Sequence, residues 1–166
     1  TKPPMNGIDS FLDGQGRMFI KAMNLVKIVD SRGPEMAVSA FVTFLNDLVL
    51  CPLGYFSLPI RWRQTGPDSV ELSMTHAGLT VSAVMTVDSE GRPVDWKTED
   101  RYAEVKGRNR KDRWSTPFEG SKEIAGLRIP EKGAGIHDYD GTPYIYVELD
   151  RIRSLVLDAG FLPGRP

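Results

Sequence analysis

Residues 69–87 read SVELSMTHAGLTVSAVMTV, and their alternation decides the fold class. Val70, Leu72, Met74 and His76 fall on one side of an extended chain, while Glu71, Ser73 and Thr75 fall on the other. Beyond Ala77-Gly78 the pattern resumes, with Leu79, Val81, Ala83, Met85 and Val87 sharing a face. Period-two alternation on both sides of a short turn predicts an antiparallel hairpin. The same grammar extends outward. Upstream, residues 8–12 lead through Asp13-Gly14-Gln15-Gly16 into 17–23, and 25–30 form a third strand after Met23-Asn24, which is read as a tight turn or a bulge. Downstream, Glu90-Gly91 turns the chain into 94–102, Arg108-Asn109-Arg110-Lys111 reads as a basic turn, and 113–119, 127–130 and 142–150 supply further strands. Asp140-Gly141 is the last strong turn.

One helix interrupts this run. Gly33-Pro34-Glu35 is a start signal, because Pro suits the first helical position and a carboxylate favours the positive end of the helix dipole. Phe41, Phe44, Leu45 and Leu48 follow i, i+3, i+4, i+7 spacing, and Val38, Val42 and Val49 widen the stripe. Such a helix needs cover on several sides, as in the concave face of a curved sheet. Cys51-Pro52 ends it. The expected class is α+β, dominated by antiparallel sheet with one main helix packed against it.

Length and composition bound the function. The 166 residues imply a single domain over 1–158 with a loose tail at 159–166. Lys and Arg total 21 against 22 acidic residues, a net charge of −1, so no global field attracts nucleic acid. The lone Cys51 excludes an internal disulfide framework, and with two histidines it argues against a structural zinc; neither metal nor cofactor is expected. The longest apolar-rich segment, 36–53, is broken by Ser39, Thr43, Asn46 and Asp47, and no stretch matches a membrane span or a signal peptide. The chain starts at Thr1-Lys2-Pro3-Pro4, which reads as a processed form or a fragment. Membrane contact is therefore expected only through upstream residues, and the compartment is left open between cytoplasmic and membrane-associated.

The motifs RGPEM (32–36), FVTFLNDLVL (41–50), IRW (60–62), VSA (81–83), DRY (100–102) and RWSTP (113–117), in that order, resemble a bacterial family filed as a domain of unknown function. The resemblance covers residues 8–152. It implies a strongly curved antiparallel sheet or incomplete β-barrel with a helix tucked against it, similar in shape to bacterial lipoprotein carriers at the level of fold analogy. It brings no catalytic residues. The family is longer at the N-terminus, which implies missing strands, and Ile136-His137-Asp138-Tyr139 departs from its pattern.

Candidate chemistry centres on a few side chains. Alternation sets Asp100 on the face of Trp96 and Tyr102, where a buried carboxylate must be paired or protonated. It is read as a structural ion pair with Arg113 or as a general base, while Arg101 is assigned to the solvated face. His76 ends an apolar strand face as a satisfied histidine or an acid–base group. Acidic neighbours should raise the pKa of His137, in a stretch read as a surface turn. Cys51 suits an inert buried thiol, and the Asp13-Gly14-Gln15-Gly16 string lacks the helix that a phosphate loop requires. The aromatics make the stronger collective case, since Trp and Tyr suit the mouth of an apolar cavity.

The leading expectation is a non-enzymatic binding domain for an apolar small molecule or lipid, held in a groove between sheet and helix by Trp62, Trp96, Tyr102, Trp114, Phe41 and Phe44. The alternatives are a small enzyme using Asp100 and Arg113, with Tyr102 or His76 moving protons, and a structural domain with a filled groove. The basic residues Arg108, Arg110, Lys111 and Arg113 are too short a run in a neutral chain to imply nucleic acid. Residues 8–12 carry no edge-protecting Lys or Pro, so an open edge is expected there, covered by upstream residues or by a second copy in a homodimer.

Overall fold

The computed structural model describes residues 4–105 and 108–152, so the tail expected at 159–166 lies outside the described residues. Three strands open the chain: β1 (Met5–Leu12), β2 (Gln15–Ala22) and β3 (Val26–Arg32) form an antiparallel sheet in sequence order. Helix α1 (Pro34–Asp47) and the short α2 (Leu53–Ser57) follow. A meander then builds a seven-stranded sheet from β4 (Arg61–Gly66), β5 (Ser69–His76), β6 (Leu79–Val87), β7 (Pro93–Val105), β8 (Arg108–Glu119), β11 (Lys132–Tyr139) and β12 (Thr142–Leu149). The hairpin β9 (Lys122–Ile124) and β10 (Leu127–Ile129) branches off between β8 and β11. The domain is therefore mostly antiparallel sheet with one main helix, more sheet-rich than the expected α+β class, and its sheets do not close.

The hairpins form where two-residue turns permit them. Asp13-Gly14, Ala77-Gly78 and Asp140-Gly141 all have positive φ at both positions, and they join Leu12 to Gln15, His76 to Leu79 and Tyr139 to Thr142. That is the turn whose twist matches paired strands. Two stretches depart from expectation. Arg108–Lys111 lies within β8 rather than in a turn, and Ile136–Tyr139 lies in β11. Both are too polar to show a simple alternation, and the register with their neighbours extends them.

Helix α1 packs between the two main sheets. Phe41, Val42 and Leu45 are fully buried against Leu72, Val81 and Trp96 of the large sheet. On another side β2 crosses so closely that a Cβ at Gly16 would overlap the backbone of Met36 and Ala37, and only glycine permits that approach. Cover on several sides is thus borne out, with one correction. Phe44 is 37% exposed, because the two sheets reach the helix on other flanks. The helix also ends earlier than expected: turns through residues 48–50 lead into α2, and the Tyr55 hydroxyl donates to the Leu45 carbonyl at 3.1 Å.

A break in β7 shapes the site. Register with β8 shifts between Thr98 and Arg101, so Trp96 and Thr98 point inward before it, and Arg101 and Ala103 after it. Pairing of β7 with β6 ends at Lys97 opposite Val84. The Thr98 hydroxyl donates to the Ser82 carbonyl at 2.6 Å, and the Asp100 carboxylate accepts the Ser82 N–H at 2.9 Å. Side chains thereby satisfy ladder groups that the bulge leaves open. Further along, Tyr102 N–H donates to the Ser39 hydroxyl of α1 at 3.0 Å, so the helix takes the place of the departed strand.

Candidate functional site

The bulge turns Arg101 into the interior. It is 5% exposed, the reverse of the solvated placement that strict alternation gives. One Nη donates to the Thr43 hydroxyl at 2.7 Å and faces the Ser39 carbonyl at 3.4 Å. The guanidinium stacks 4.1 Å from the centre of the Trp114 ring, an arrangement favoured by the ring quadrupole. Its Nε has no hydrogen-bond partner among the described residues, and burial pulls its pKa down against the weaker pull of Asp9, Tyr146 and Asp47.

Arg101 forms part of the wall of a cavity of about 430 Å³ between the two main sheets and the C-terminal half of α1. The walls are mainly apolar: Ile8, Met18 and Ile20 from the three-stranded sheet, Leu50 beyond α1, and Phe118, Val147 and Leu149 from the large sheet. Gly135 lets the Trp114 ring lie directly against β11 in this wall, because a Cβ there would overlap the ring. A bulge at Gly135/Ile136 breaks the β12 alternation, which lets Tyr146 and Val147 both face the cavity. Asn46 fastens the helix to this wall: its Oδ1 accepts from Trp114 Nε1 at 3.1 Å and from the Thr116 hydroxyl at 2.5 Å.

Two carboxylates share the cavity. Asp47 keeps solvent contact at its rim, yet desolvation by the surrounding wall pushes its pKa up to about 6, with Arg101 opposing and Asp9 reinforcing the rise. Desolvation also raises Asp9, which likewise keeps solvent contact, with Arg101 opposing the rise. A second cavity of about 260 Å³ adjoins, lined by Met36, Tyr102, His137 and Tyr139, and it shares Arg101, Met18 and Tyr146 with the first.

His137 is 4% exposed on the inner face of β11, with Nδ1 3.5 Å from Asp112 Oδ2. Burial, then Arg101, lowers its pKa to about 4. This corrects the expected rise. The neighbouring Asp138 and Asp140 face Arg113 and Arg110 instead, and the Asp112 carboxyl is itself pushed up by burial.

The Asp100–Arg113 pair is also corrected. Asp100 bonds Lys111 at 2.8 Å, while Arg113 bonds Glu99 at 2.9 Å and lies 3.6 Å from Asp138. The bulge separates Asp100 from the buried face, and the two residues take different partners. His76 is exposed, its ring 5.8 Å from Phe11. Of the expected ligand-contacting aromatics, Trp114 lines the larger cavity and Tyr102 the adjoining one. Trp96 and Phe41 are fully buried in the core, whereas Phe44 and the edge-strand Trp62 are exposed outside both cavities. Arg101, Asp9 and the polar helix end Thr43-Asn46-Asp47 were the residues that alternation missed; polar side chains interrupting an apolar helix were the available signal.

The model of a family of unknown function, DUF6544, matches residues 2–149. The chain belongs to that family. DUF6544 thus covers both main sheets, the helix and every residue named in the cavity wall. No curated protein and no solved structure matches the chain.

Proposed function

We propose that this member of DUF6544 is a non-enzymatic binding domain for an apolar, lipid-like small molecule, held between its two main sheets and α1, with the sheets acting as an incomplete, open-sided barrel. The observation that carries the reading is the 430 Å³ cavity with mainly apolar walls. Small-molecule sites typically span roughly 300–1,000 Å³ and combine apolar walls with a few polar groups. Burial of an alkyl chain there is driven by removal of apolar surface from water.

Calorimetric titration with dodecanol tests the proposal. Saturable one-to-one binding is expected, and Val147→Trp should abolish it by filling the cavity from an exposed strand while the domain stays folded by circular dichroism. Absence of binding to the native chain, or full retention in folded Val147→Trp, contradicts it.

A further inference from the structure

We infer that the cavity takes an alkyl monocarboxylate, whose carboxylate pairs with Arg101 while its chain lies among Ile20, Leu50 and Val147. This rests on the binding reading above and names the ligand's chemistry.

The argument starts from an arginine that is nine-tenths buried without an ion pair. Its hydrogen-bond partners are the neutral Thr43 hydroxyl and Ser39 carbonyl, and its Nε is unpartnered among the described residues. A buried guanidinium is costly unless an anion and full hydrogen bonding offset its desolvation. Among the described residues no carboxylate lies within 4.0 Å of it. Asp9 and Asp47 share the cavity but act on Arg101 only at longer range, and both keep solvent contact rather than closing an ion pair with it. An anion from outside completes the pair, with the planar match that arginine offers a carboxylate.

Charge and size narrow the class. One cation beside two acidic residues favours a single negative charge over a phosphate monoester. At a water-like share of about 30 Å³ per non-hydrogen atom, 430 Å³ holds on the order of fourteen such atoms, the size of dodecanoate.

The test compares dodecanoate, dodecanol and dodecyl phosphate by calorimetry at pH 7.5, and follows the Arg101 Nε–H resonance of the native protein. Dodecanoate should bind at least tenfold more tightly than dodecanol and shift that resonance, which dodecanol should leave in place. In Arg101→Met the two affinities should converge. The resonance keeps the test decisive if that variant does not fold. Dodecanol binding as tightly as dodecanoate, a carboxylate preference that survives in folded Arg101→Met, or tighter binding of dodecyl phosphate overturns the inference while the binding reading stands. Failure of all three ligands to bind overturns both.

Discussion

A Cβ at position 135 would lie 2.5 Å from Trp114 Cζ2 and 2.8 Å from Val147 Cγ1, closer than packed carbons approach. Gly135→Ala must therefore displace the indole on which Arg101 stacks. Overpacking of this kind costs roughly 1–3 kcal/mol, and urea denaturation with tryptophan fluorescence should show that loss together with altered native emission. Asp47 gives the second prediction at this scale. Its folded pKa is raised from 3.8 to about 6, so the native state holds the proton more tightly than the unfolded chain. Below about 3.8 the group is protonated in both states and contributes nothing; as pH rises toward 6 the cost of ionising it accrues, and above 6 it is complete. Asp47→Asn should match the native chain at acid pH, gain on it between pH 4 and 6, and keep the gain at pH 7. Denaturation of both chains across that range checks the sign.

At the scale of elements, α1 sets one flank into the core and leaves another at the surface. Leu45 is fully buried and Phe44 is not, so Leu45→Ala should cost about 2–5 kcal/mol, and Phe44→Ala clearly less. Equilibrium unfolding of the two variants measures the contrast. The apolar spacing placed this helix correctly but could not rank its flanks, because the ranking depends on where two separate sheets meet it. Hairpins were legible for the opposite reason: β5 and β6 are joined by a two-residue turn, and alternation and turn chemistry are both local. The site was less legible because bulges decide it. Counting by twos through β7 set Asp100 inside and Arg101 outside, and the shift between Thr98 and Arg101 reversed them. That shift follows from where β7 leaves β6 for α1, a long-range event. The burial of His137 was hidden likewise, since it depends on β11 lying against β8.

For the whole molecule, three layers meet around the Arg101 cavity. The three-stranded sheet meets α1 at Gly16, α1 meets the large sheet through Phe41 and Leu45, and at the far end the two sheets leave the space around Arg101. Apolar side chains are also exposed where the β2–β3 turn enters β3, including Leu25 at 80% and Val26 at 60%, so an apolar ligand has a competing place to adhere. The decisive measurement separates the two locations. Methyl-labelled protein titrated with dodecanol should show saturating shifts at Ile20, Leu50, Val147 and Leu149 with one common affinity, while the methyls of Leu25, Val26 and the core Leu72 stay in place. Shifts confined to Leu25 and Val26, or no saturable shift at the cavity methyls, would contradict the account.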